Sequence, residues 1–97
     1  MLQVVFRRAA QAEFDAAALR YDMQQPGLGA QFVSEISRAV ELAASHPARF
    51  SIRHADIRRA PARRFPYSVF FRVESERLVV LAVFHARRDP TIWHIRA

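Results

Sequence analysis

Ninety-seven residues with 52% apolar side chains, 11% aromatic and only two glycines make a single domain, residues 1–97, with a small core, and exclude a disordered or low-complexity chain. The lack of cysteine excludes disulfides and thiolate zinc sites and fits a cytoplasmic protein; no apolar run reaches the roughly 20 residues of a membrane span, so no membrane partner is expected. The net charge of +6 is lopsided and rests on arginine without a single lysine: residues 1 to 48 hold four arginines against five carboxylates, and residues 49 to 88 hold ten against three, a one-sided field that favours an acidic partner, either nucleic acid or an acidic protein segment.

Leu2 to Phe6 is short, apolar and β-branched, and reads as a first strand. From Ala9 the period changes: Phe14, Ala17, Ala18 and Tyr21 recur at helical spacing, with Glu13, Asp15, Arg20 and Asp22 on the other faces. Pro26 biases its predecessor away from helical angles, so this helix should stop near Gln24, and Pro26-Gly27-Leu28-Gly29 reads as a tight connection. A second helix follows with Phe32, Val33, Ile36, Val40 and Ala43 on one face, closed by Pro47. Two helices on a short turn leave a joint apolar face that needs a sheet.

The second half supplies it. Ile57 to Phe65 alternates crudely, and Pro61, which cannot donate to a ladder, predicts an edge or irregular strand. Tyr67, Val69, Phe71 and Val73 alternate with Ser68, Phe70, Arg72 and Glu74, a strand buried on one face. Glu74-Ser75-Glu76-Arg77 is a polar hairpin turn. Leu78 to Phe84 is apolar on both faces and should be the central strand. Pro90 ends it, leaving Ile92, Trp93 and Ile95 in a tail that packs back.

The chemistry open to such a chain is narrow. Two glycines in one turn cannot build a phosphate loop. His46, His54, His85 and His94 are scattered without carboxylates at ligand spacing, so neither a metal nor a cofactor is expected. What remains is the arginines with His85. On one strand Arg59 and Arg63 share a face, with Arg58 and Arg64 nearly opposite. Arg87 and Arg88 follow the central strand, so pairing in one sheet predicts a concave arginine patch with His85 beside it. Such a patch holds phosphates bidentately and stabilises charge growing on them. Arginine stays protonated and is no base, so His85 is the one group titrating near neutrality. The plain alternative is a histidine hydrogen-bonded to backbone at a strand end, and arginines that are merely solvated. Trp93 either stacks on a base or partner, or covers the open side of a small core.

The stretches Arg64-Phe65-Pro66-Tyr67-Ser68-Val69-Phe70-Phe71-Arg72-Val73 and Val79-Val80-Leu81-Ala82-Val83-Phe84-His85-Ala86-Arg87-Arg88-Asp89-Pro90, with Trp93 beyond them, resemble the ParE/RelE superfamily of toxins from type II toxin-antitoxin systems. The resemblance covers nearly the whole chain. It implies an α+β fold, with an N-terminal strand and an antiparallel helical hairpin packed on a small twisted antiparallel sheet. It also implies a toxin neutralised by a cognate antitoxin that lays an extended or helical segment across its surface. Two activities occur in the superfamily. ParE-like members poison DNA gyrase, a binding activity; RelE-like members cleave mRNA on the ribosome with basic residues on the sheet and a tyrosine near the C-terminus. By that resemblance Arg87 falls at the strand-end arginine of the nucleases and His85 is a proton-transfer candidate. Ser68 stands where the nucleases have arginine and Trp93 where they have tyrosine, so the ParE-like reading is preferred. Arg59, Arg63, Arg64, Arg88 and Trp93 are then the expected contacts with the target or with nucleic acid. A third reading is a binding module that kept the fold and lost toxicity.

Overall fold

The computed structural model describes all residues 1–97. In chain order it has β1 (Gln3–Phe6), α1 (Arg8–Gln24), α2 (Leu28–Ser45), a 3-10 turn (Pro47–Arg49), β2 (Ile52–His54), β3 (Ile57–Pro61), β4 (Tyr67–Glu74), β5 (Arg77–His85) and a short α3 (Thr91–His94). The strands form one sheet in the order β1-β5-β4-β3-β2. Strands β2 to β5 are antiparallel, as expected, while β1 joins parallel to β5 in the register Gln3↔Arg77 to Phe6↔Val80, which makes the sheet mixed. The parallel pairing follows from the connection: two helices and three strands intervene between β1 and β5, ample for the crossover a parallel pair needs.

The helical hairpin turns as its residues require. Gly27 takes φ +91°, a left-handed conformation open to glycine without strain. Asp22 Oδ1 accepts from the Gly27 and Gly29 N–H groups at 2.9 and 3.2 Å, satisfying donors that the start of α2 would leave bare. A Cβ on Gly29 would lie 2.6 Å from the Ala18 carbonyl oxygen, so glycine is what lets the helices approach. Phe32, Ile36, Ala39, Val40, Ala43 and Ala44 of α2 are buried; Val33, expected on that face, is 40% exposed at its margin.

Under the helices lies the main core. Phe32 is its centre, with Tyr21, Phe65 and Tyr67 rings 5.0 to 5.3 Å from its own in tilted and edge-on contacts, the geometry aromatic quadrupoles favour. Val69, Phe71, Leu78, Val80 and Val83 complete this face. The opposite face carries a second cluster: Ile57, Phe70, Val79, Leu81, Ala82, Phe84 and Trp93. Trp93 of α3 stacks on Phe70 with centroids 4.0 Å apart and is 4% exposed, while Ile95, also expected to pack back, stays exposed.

Three expectations are corrected here. Strand β4 is buried on both faces over Tyr67–Phe71, because α3 covers Ser68 and Phe70. Strand β3 ends at Pro61, so Arg63 and Arg64 lie in the following loop, with Arg64 at φ +69°. The sheet's edge is formed by β2, a strand absent from the sequence reading. A register shift between Phe70 and Phe71 leaves Leu81 unpaired, so Leu81 and Ala82 both serve the second face while Val80 and Val83 serve the first. That irregularity, with burial on both sides, is why the run Val79–Phe84 is apolar without interruption.

Candidate functional site: an arginine cavity on the second face

Where β5 gives out, the second face opens into a cavity of about 250 Å³. Arg53 comes from β2, Arg59 from β3, Ser68 and Phe70 from β4, Phe84 and His85 from β5, and Arg88 from the following loop; Trp93 forms a wall. Pairing puts these groups together: Arg59 is opposite Phe70, and Ser68 opposite Phe84.

Two of the cavity's three arginines are steadied by an uncharged partner. The Arg59 Nε–H donates to Ser68 Oγ at 2.8 Å, which leaves its two terminal amino groups, the end that grips a carboxylate or phosphate bidentately. The Arg88 guanidinium carbon lies 4.6 Å from the Phe84 ring centroid, a cation–π contact. Of the fifteen arginines only Arg7, Arg72 and Arg96 form ion pairs, so no carboxylate neutralises the cavity's guanidiniums.

The sequence-derived set divides. Arg59, Arg88, His85 and Trp93 meet in the cavity. Arg58 faces the other way and donates to the Phe50 carbonyl at 2.6 Å. Arg64 reaches Gln31 Oε1 on α2 at 3.2 Å, and Arg63 is exposed in the loop, so neither lines the cavity. Arg87 is exposed outside it, and its backbone N–H donates to His85 Nδ1 at 3.0 Å. That bond is the strand-end alternative foreseen for His85, and it puts the imidazole proton on Nε2. Trp93 is a core residue and a wall together.

Two groups escaped the sequence reading. Arg53 escaped because β2 has three residues and its turn to β3, Ala55-Asp56, carries no Asn-Gly signal; Ala55 itself adopts φ +51°. The other is the Glu13–Arg96 fork. Arg96 donates to both Glu13 oxygens at 2.9 and 3.0 Å and to the Leu81 carbonyl at 2.9 Å, and Glu13 also accepts the Val83 N–H at 3.1 Å. Seen singly, each is one charge among many; together they tie α1, the open side of β5 and the C-terminal tail.

Around the end of β5 the cavity meets two smaller hollows on the helical side. One, of about 220 Å³, has Arg20, Tyr67 and again Arg88 in its lining; the other, of about 180 Å³, has Arg20, Tyr21, Tyr67 and again His85. Arg20 donates to the Tyr67 hydroxyl at 3.0 Å. Burial pushes the Tyr21 hydroxyl above its usual value, Tyr67 adds to the rise and Arg20 opposes it. No three ligating side chains gather to hold a metal ion, and no helix is long and apolar enough to cross a membrane.

A family model described as "ParE toxin of type II toxin-antitoxin system, parDE" matches residues 4–90. A solved chain from the chromosomal ParDE TA system of P. aeruginosa superposes with a TM-score of 0.76 at 22% identity, over 90% of this chain and 98% of that one; at that identity the likeness is one of fold. No curated protein matches the sequence.

Proposed function

The chain belongs to the ParE toxin family of type II toxin-antitoxin systems, and on that premise we propose that it arrests growth by binding DNA gyrase, and that a cognate antitoxin neutralises it by covering its surface. The observation that supports gyrase poisoning is the furnishing of the arginine cavity. Cutting a phosphodiester needs a proton acceptor for the attacking hydroxyl and a donor for the leaving oxygen. Arginine stays protonated, and the His85 Nδ1 lone pair is engaged by the Arg87 N–H. Tyr67 is buried, with its hydroxyl already accepting from Arg20. Such a site grips an anion, and trapping a topoisomerase requires grip alone.

The test is purified toxin with gyrase, ATP and relaxed plasmid. Loss of supercoiling with accumulation of enzyme-linked cleaved DNA is expected, and intact supercoiling at excess toxin overturns the reading. One observation favours a second reading, ribosome-dependent cleavage of mRNA: His85 lines the cavity with Arg59 and Arg88, its ring oriented by the Arg87 backbone N–H. Codon-specific cuts in a translating extract, lost in His85→Ala and in Arg87→Ala, would install it. Induced expression without any growth defect would leave only a binding module.

A further inference from the structure

The arginine cavity and the two hollows beyond it share their walls. Arg88 lines the cavity and the larger hollow, His85 the cavity and the smaller one, and Arg20 with Tyr67 both hollows. The three thus adjoin around the end of β5, from the second face to the α1 side. We infer that together they form one path, a track for the phosphodiester backbone of a single DNA strand. The inference rests on the gyrase reading for the source of that DNA.

The charge along the path has one sign. Arg53, Arg59, Arg88 and Arg20 form no ion pair, and Glu13, the one carboxylate that lines any of the three hollows, is already held by Arg96. Three of these four guanidiniums already have an uncharged partner before any ligand arrives: Arg59 on Ser68, Arg88 on Phe84 and Arg20 on Tyr67. Less side-chain freedom is then lost on binding. A volume of about 250 Å³ lies below the roughly 300–1,000 Å³ of sites that enclose a whole small ligand, and suits a phosphate with part of its sugar as one link of a longer chain.

An acidic peptide shares the charge but not the fit. Peptides laid on a sheet are held by main-chain hydrogen bonds at an edge, or as a helix in an apolar groove. The cavity sits over the face of β3, β4 and β5 rather than along a strand edge, and the cations that line it are side chains. A phosphodiester chain asks for nothing else, and most protein–DNA hydrogen bonds are of this kind.

The experiment is fluorescence anisotropy of the full chain with a labelled single-stranded oligonucleotide across a salt series. Binding should weaken with salt at a slope of about −0.7 in log K per phosphate neutralised. Arg59→Gln and Arg88→Gln should each weaken binding about tenfold at low salt and flatten the slope by that same step. Arg59→Lys, which keeps the charge, should keep the slope, and Arg38→Gln on the exposed side of α2 should change nothing. No binding by the wild type, Gln variants that bind like it, or capture of a polyglutamate peptide in preference to the oligonucleotide would each overturn the track. The gyrase assay separates the two readings. Poisoning of gyrase by a wild type that binds no oligonucleotide sinks the track alone; strand binding by a wild type that leaves gyrase untouched sinks the gyrase reading alone.

Discussion

The two faces of the sheet are buried by unequal means. On the first, helices of 17 and 18 residues press on a cluster of 15 buried side chains interlocked by aromatic contacts. On the second, a cluster of seven is covered by a helix of four residues, whose hold comes from the Trp93 indole on Phe70, the His94 ring stacked on His54 at 4.0 Å and the ionic fork at Arg96. A face closed by two long helices keeps an unpaired guanidinium, Arg20, at the margin beside Tyr67. A face closed by a short tail leaves the sheet's end open, and there three guanidiniums stand in a cavity. The better-packed side carries the larger core, and the more open side carries the cavity's charge.

The heaviest blow to this division is Phe32→Ala. It removes the ring at the centre of the first face, and should cost about 4 kcal/mol, read as a lower midpoint in urea unfolding with unchanged slope. Trp93→Ala should cost less, about 3 kcal/mol, because a four-residue helix collapses into the gap more readily than two long ones. A loss equal to or above that of Phe32→Ala would show the second face to be as firmly built as the first. Glu13→Ala ranks next. It strands a partly buried guanidinium and the Val83 N–H, and should cost about 2 kcal/mol. Since Trp93 is the only tryptophan, its fluorescence reports on the second face alone, and in this variant its transition should precede the loss of helical circular dichroism. Coincident transitions would mean that the faces open together.

The smallest effect concerns Asp89. Its carboxyl is held below the ordinary 3.8, first by the Thr91 backbone N–H and then by the Thr91 side chain; slight burial opposes this and His94 assists. A lowered native pKa means that this tether on α3 is at full strength above the ordinary carboxylate value and fades as pH falls through the depressed one. The protection factor of the Thr91 amide, its exchange corrected for the intrinsic pH dependence, should therefore fall at low pH, and Asp89→Ala should remove that fall. An amide that exchanges alike in both proteins would release Asp89 from any part in holding the tail.

What was legible beforehand follows from how local each signal is. The two helices announced themselves by period and by Pro26 and Pro47, and the hairpin of β4 and β5 by alternation around Ser75-Glu76. Strand β2 announced nothing, being three residues long with Ala55 in a left-handed turn. Arg53 went unseen with it. Arg63 and Arg64 were assigned to a strand because arginine and alanine tolerate one; the chain leaves the ladder at Pro61, which can end a strand but cannot donate within it. Arg63 and Arg64 therefore belong to a loop away from the cavity, and Arg53 of β2 lines it in their stead.

By itself the sequence determined the apolar spacing, the breaks at proline and glycine, and the excess of guanidinium in the second half, since these depend only on near neighbours along the chain. Tertiary structure alone decided which arginines meet, because that turns on register. The shift at Phe70 and the arrival of Trp93 over it bring residues 53, 59 and 88 to one opening, and Arg96 finds Glu13 across 83 positions of chain. Such meetings are settled by the packing of whole faces, for which no short stretch of residues carries the instruction.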